Sequence, residues 1–199
     1  MQQTRKRLIH AAVAVSLASL AITAPEASAV DIGVGVGLNN DGGGSGGYGM
    51  SLPLRFGNIT VEPELSFYRS SQDTTYTAPT SNYTYDSKQY TLDTGIYLRH
   101  QVVPALETYL GGRVGYTKNK YSYTYPYSPS SSQSSESSGF YLGPTFGAEY
   151  FFEKRFSLSL DVSVLYESTS GQSVNGSSIT KQDGNSLDYQ TRARLRYYF

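Results

Sequence analysis

The 199-residue chain has no cysteine and no tryptophan, and only two histidines and two methionines. Without cysteine, no disulfide staples the fold, and thiolate metal or redox centres are excluded. No apolar run of about 18 residues lies beyond the N-terminus, so the remainder contains no transmembrane helix candidate. Charge of one sign is also missing: 16 basic and 16 acidic residues balance. Nucleic acid is therefore not an expected partner, since it would require a basic patch. Mean hydropathy is −0.39. A strand-built membrane protein remains compatible with that polar average, because its lipid-facing and lumen-facing residues alternate.

Tyrosine is plentiful, with 19 residues, and suits both strands and membrane–water interfaces. At the N-terminus, Arg5-Lys6-Arg7 precedes a mostly apolar stretch from Leu8 to Ala24, and Ala27-Ser28-Ala29 follows. That order describes a secretory signal peptide over residues 1–29, with the mature domain over 30–199. Losing the leader takes three basic residues and one acidic residue, leaving a small net negative charge.

Eight segments then alternate apolar with small or polar residues, the period of a strand with two unlike faces. They run over Val30–Leu38, Gly47–Phe56, Ile59–Arg69, Lys88–Val102, Leu106–Tyr116, Gly139–Phe152, Phe156–Tyr166 and Leu187–Phe199. Most have the length a tilted strand needs to cross a bilayer. Their connections alternate between long (39–46, 70–87, 117–138, 167–186) and short (Gly57-Asn58, Val103-Pro104-Ala105, Glu153-Lys154-Arg155). Short connections thus gather at one end and long ones at the other, as in outer-membrane barrels. Pro53, Pro63 and Pro144 fall inside strands, where bulges or missing ladder bonds are expected.

The faces differ sharply. The second face carries Asp31, Arg55, Glu62, Glu64, Asp93, Arg99, Glu107, Arg113, Glu149, Asp161, Asp188, Arg192, Arg194 and Arg196. An eight-stranded barrel has an interior just wide enough for packed side chains. The bulky apolar set does not fit there, but it can all face lipid. The ionised set, nearly balanced in sign, is expected to fill the lumen as a paired network, because unpaired buried charges are costly. If the register is unbroken, Arg55 should meet Glu62 and Arg99 should meet Glu107. Gly33, Gly35 and Gly37 should make room for long side chains opposite.

On these features the chain resembles the OmpA/OmpX-type family of small outer-membrane barrels, over essentially all of Val30–Phe199. The resemblance includes the terminal Tyr197-Tyr198-Phe199, which looks like an assembly signal carried by Leu195, Tyr197 and Phe199. It implies an all-β, eight-stranded antiparallel up-and-down transmembrane barrel in the bacterial outer membrane. It also implies contact with outer-membrane lipid and handling by the outer-membrane assembly machinery.

Motifs for chemistry are weak. The glycine-rich stretch Asp41–Gly47 lacks the Lys-Ser/Thr ending of a phosphate loop, and Gly33-x-Gly35-x-Gly37 lacks dinucleotide spacing. Asn58, Asn82 and Asn175 begin glycosylation-type triplets that arise readily in such composition. His100 alone survives the leader, and it lies beside a short turn, away from the outer leaflet that a lipid A-modifying dyad would serve. No catalytic residue, cofactor site or metal site is assigned. Tyr121-Ser122-Tyr123-Thr124-Tyr125-Pro126-Tyr127 and Tyr83-Thr84-Tyr85 keep the alternation beyond the membrane band, so strands should protrude there as a sheet. A structural or surface-interaction role follows, with a surface protein or a glycan as partner class for loops 70–87 and 117–138. A small channel and a lipid A-modifying enzyme are the alternatives.

Overall fold

The computed structural model describes residues 30–41, 45–74, 83–125, 133–175 and 178–199. The segment expected to be a leader (1–29), Gly42–Gly44, Asn82 and Pro126–Tyr127 lie outside the described residues. Nine strand elements follow in order: β1 (Asp31–Asp41), β2 (Ser45–Ser51), β3 (Leu54–Phe56), β4 (Ile59–Thr74), β5 (Tyr83–Val103), β6 (Leu106–Thr124), β7 (Gln133–Glu153), β8 (Phe156–Asn175) and β9 (Ser178–Tyr198). All neighbours are antiparallel, and β1 also pairs with β9, which closes the sheet.

β2 and β3 are two halves of one strand, so the ring has eight. Both pair with β1 on one side and β4 on the other in a single register. The break falls at Leu52-Pro53, where proline lacks a ladder donor. Pro53 still accepts a hydrogen bond from Gly33 N at 2.9 Å. At Pro144 the β7–β8 pairing lapses between Leu142 and Thr145 without a change of register. The strand prolines therefore cost bonds rather than introduce bulges. The register shifts fall elsewhere, at Gln101/Val103 and Phe151/Glu153, beside two of the short turns. The third short turn is a two-residue hairpin, Gly57-Asn58, with Gly57 at φ 61°. A positive φ at the first central position alone is the type II′ pattern, which suits hairpin twist.

Register defines the barrel. Stepping partner to partner from Asp31 leads through Arg55, Thr60, Tyr97, Gly111, Thr145, Ser163 and Gln190 to Asp41, ten residues further along β1. A stagger of that size over eight strands tilts them roughly 40° to the axis.

The strands are longer than the sequence pattern indicates. Segments expected as loops (70–87, 117–138, 167–186) are mostly ladder: β4 pairs with β5 out to Thr74–Tyr83, β6 with β7 out to Tyr123–Gln133, and β8 with β9 out to Asn175–Ser178. The tyrosine alternation at Tyr83–Tyr85 and Tyr121–Tyr123 continues as strand, as expected; the serine- and threonine-rich remainder reads as loop chemistry, yet threonine also favours strands. A 21-residue strand such as β7 rises roughly 50 Å at that tilt. The apolar band of such a barrel is only about 25 Å tall. The excess stands beyond the apolar band.

Candidate functional site

The outward face of the apolar band is hydrocarbon. Leu38, Leu65, Leu92, Leu110, Leu142 and Leu160 are all exposed, with Leu160 at 58% and Leu110 at 62%. Aromatic residues ring both margins: Tyr48, Phe67, Tyr90, Tyr116, Phe140, Tyr166 and Tyr189 at one, and Phe56, Tyr150, Phe152, Phe156, Tyr197 and Phe199 at the other. Such girdles mark the two interfaces of a membrane barrel.

The inward face is an ion-pair network. Arg55 meets Glu107 at 2.9 Å, and Arg99 meets Glu107 at 2.8 Å and Glu149 at 2.5 Å. Arg196 bridges Glu149 at 3.0 Å and Glu62 at 2.7 Å. Above it, Arg194 Nε donates to Glu64 at 2.9 Å and its terminal nitrogen pairs with Asp161. Arg113 pairs with Asp93 and reaches Glu64 at 3.3 Å, while Arg192 reaches Asp93 at 3.1 Å. Six arginines thus face six carboxylates through the barrel. Several carboxylates contact more than one guanidinium, so burial leaves little charge uncompensated.

Position in the ring explains each partner. Arg55 registers with Thr60, not Glu62. It does not pair with Glu62, which lies further along the barrel and is held by Arg196. Arg55 instead reaches Glu107. Asp31 and Asp188 also differ from expectation, because both are exposed. Asp31 opens β1 at the end of the barrel. Asp188 lies where β9 has already lost its β1 partner, and it accepts a bond from Ser186 at 2.5 Å. The glycines of β1 do make room: a Cβ on Gly37 would sit 2.7 Å from Arg194 Cγ.

Four inward tyrosines complete the network and were not singled out from the sequence. Tyr97 accepts from Arg113 at 2.5 Å. Tyr109 donates to Asp161 at 3.2 Å, Tyr141 to Asp93 at 2.5 Å, and Tyr198 to Glu149 at 2.9 Å. The available signal was parity, since each stands next in sequence to an outward apolar residue (Leu98, Leu110, Leu142 and Tyr197). His100 is exposed on the outer face, away from the lumen carboxylates.

Beyond the girdle near Tyr90 the ring opens. β1 and β2 end at Asp41 and Ser45, so β9 is paired with β1 only as far as Gln190. On the other side, β4 is paired with β2 only as far as Phe67. Among the described residues, Ser178–Tyr189 and Tyr68–Thr74 therefore form two free edges of an open, six-stranded extension. No register shift occurs between the band and the tips, so each residue keeps the face its parity assigns. Pairs on the outer face link neighbouring strands, Arg69–Asp86 at 3.6 Å, Lys118–Glu136 at 2.6 Å and Lys120–Glu136 at 3.3 Å, while Lys88 meets Asp86 within β5 at 2.9 Å. The Lys88 hydrogen bond holds the Asp86 carboxyl below its ordinary pKa. Those from Lys118 and Lys120 do the same for Glu136.

Comparison with known proteins agrees with this architecture. The family model described as the outer membrane protein beta-barrel domain matches residues 10–192. The chain belongs to that family. As an outer-membrane barrel it resides in the bacterial outer membrane, among membrane lipid. Among solved structures, a major outer membrane protein from Thermus thermophilus is similar, with 16% identity, a TM-score of 0.62, and coverage of 86% of this chain and 100% of that one. The N-terminal β-barrel domain of Pseudomonas aeruginosa OprF is 11% identical over 85% of this chain and 97% of that one, with a TM-score of 0.44. Ail of Yersinia pestis, crystallised with the heparin analogue sucrose octasulfate, is 13% identical over 85% of this chain and 95% of its own, with a TM-score of 0.44. No curated protein matches the chain by sequence. In barrels of this class the short turns face the periplasm and the long connections face outward, which puts the open extension outside the cell.

Proposed function

We propose that this outer-membrane barrel is a non-catalytic surface-interaction protein. Its sealed lumen serves as a rigid stem and its protruding sheet as the contact surface. The observation that carries the reading is the ladder running unshifted past the girdle and then opening, with β9, among the described residues, lacking a partner on its β1 side from Ser178 to Tyr189. A protein needing only a membrane stem has no use for strands roughly twice the bilayer's reach. Free sheet edges are a liability that proteins usually suppress, so a long edge held outside the cell has the character of a working surface.

The lumen network supports a stem rather than a channel. Ionised side chains joined across the bore occupy it, and aqueous pores use about 16–18 strands. In planar bilayers the purified barrel is expected to give no stable, reproducible openings. Steady unitary conductance would favour the transport alternative. The C-terminal residues Leu195, Tyr197 and Phe199, all exposed on the outer face, are proposed as the signal read by the assembly machinery. Deleting Phe199 should lower the amount of folded barrel in outer-membrane fractions.

The direct test shortens the hairpins β4–β5 and β6–β7 to turns just above the girdle. A heat-dependent gel shift checks that the barrel still folds. Cells carrying the full chain should attach to coated surfaces better than cells carrying the shortened form. Equal attachment would contradict the proposal.

A further inference from the structure

Parity divides the extension into two chemically unlike faces. Its outer face carries the ions, including Arg69, Asp86, Lys88, Lys118, Lys120 and Glu136. Among the described residues of the extension, its inner face, continuous with the lumen wall, has only two charged groups, Glu167 and Asp188. Both sit low, near the girdle. Higher up, this face is built from tyrosine, serine, threonine, asparagine and glutamine.

Five tyrosines cluster there on the β5–β6 hairpin. Tyr85 lies 4.9 Å from Tyr123 and 6.5 Å from Tyr121, ring centre to ring centre. Tyr83 lies 5.9 Å from both Tyr123 and Tyr125. Tyr121 and Tyr123 are more than a third exposed even within the cluster. The rings brace one another, so their rotamers are largely set before any ligand arrives, which lowers the entropic cost of binding. Gln72 stands beside Tyr85 on β4, and Ser135 beside Tyr121 on β7. Among the described residues β1 and β2 do not continue beside the extension, which leaves its inner face open on that side.

We infer that this inner face binds an uncharged glycan, the sugar rings lying on the Tyr83, Tyr85, Tyr121 and Tyr123 rings and their hydroxyls bonding to the surrounding amides and hydroxyls. The inference rests on the surface-interaction reading and names its ligand class. Charge complementarity selects the class. A sulfated or acidic polysaccharide needs cations, and the extension keeps its cations on the opposite face. An added polypeptide strand would take its affinity from main-chain bonds at the β9 edge, and tyrosine ring faces would contribute little. A neutral sugar offers apolar ring faces and many hydroxyls. Aromatic rings with polar tips, set among serine, asparagine and glutamine, match both at once.

The full mature chain in lipid nanodiscs is tested on an array of neutral oligosaccharides, with dextran sulfate and an extended valine/threonine-rich peptide alongside. Binding to at least one neutral oligosaccharide is expected, unchanged in about 1 M salt, where the screening length falls to about 3 Å. The pair Tyr85→Ala with Tyr123→Ala should weaken it by roughly tenfold or more, equivalent to about 1.4 kcal/mol. Tyr85→Phe with Tyr123→Phe, which keeps the rings, should retain most of it. Lys88→Gln with Lys120→Gln, on the other face, should leave it unchanged. Binding only to dextran sulfate and lost in salt, binding only to the peptide, or binding to nothing on the array would each overturn the inference. The surface-interaction reading falls separately, if cells with shortened hairpins attach as well as cells with the full chain.

Discussion

Glu64 shows how the lumen works at the scale of one residue. Its carboxylate accepts from Arg194 and Arg113, from Asn39 at 2.7 Å and from Ser66 at 3.0 Å. Glu64→Leu leaves two guanidinium groups short of a partner, and the expected cost is about 3–5 kcal/mol of barrel stability, read by urea unfolding in lipid vesicles. Adding Arg194→Leu should recover part of that loss, because the second change removes one stranded charge. Full additivity of the two would show that they do not share a network. On the opposite face, Leu160→Arg puts a charge into hydrocarbon near the middle of the apolar band, between Phe156 and Tyr166 of β8, and about 2–4 kcal/mol should be lost in the same assay. A change within error would mean that Leu160 does not face lipid. Single residues also set the packing tolerance. A Cβ on Gly115 would sit 2.5 Å from the Tyr141 ring, so inward glycines and inward tyrosines fit as complementary shapes.

At the scale of the strand, two regimes share one ladder. Within the bilayer, pairing is obligatory because lipid offers no alternative partner for backbone groups. Beyond it, water competes, and the side-chain pairs on the outer face help to hold the strands together. Lys118 and Lys120 hold the Glu136 carboxyl below its usual range, so their contribution is present above the ordinary glutamate value and is lost as pH falls through the lowered one. Amide protection, taken relative to the intrinsic exchange rate at each pH, is therefore expected to fall on acidification at the Lys118–Lys120 and Glu136 positions, while lumen amides stay protected. Glu136→Gln should remove that pH dependence. If it persists in Glu136→Gln, another group is responsible.

Period-two alternation revealed the membrane part of every strand and the tight turns at one end, because lipid imposes a strict apolar–polar contrast. Outside the bilayer it revealed protruding strands only where tyrosine alternates, at Tyr83–Tyr85 and Tyr121–Tyr123; elsewhere both faces meet water and serine-rich ladders look like loops. The lumen arginines and glutamates were legible by parity. Their pairing was not, because the ten-residue stagger decides who meets whom. The inward tyrosines were hidden by the tyrosines of the girdles, since the same residue type serves both faces.

Taken together, the described residues of the barrel domain form a closed stem with a split crown. Closure depends on β1 meeting β9 and on a balanced set of charges filling the bore. The crown exists because six strands continue where two stop. The stem follows from one assignment, apolar side chains toward lipid and ionised ones inward. The absence of cysteine makes that assignment directly measurable. Single substitutions Ser159→Cys, Leu160→Cys, Val162→Cys and Ser163→Cys, each labelled with a small environment-sensitive fluorophore before folding into vesicles, should report alternate environments along β8. Labels at 160 and 162 should be quenched by lipids brominated on their acyl chains, and labels at 159 and 163 should not. Quenching at 159 and 163 but not at 160 and 162 would turn the barrel inside out and contradict the account.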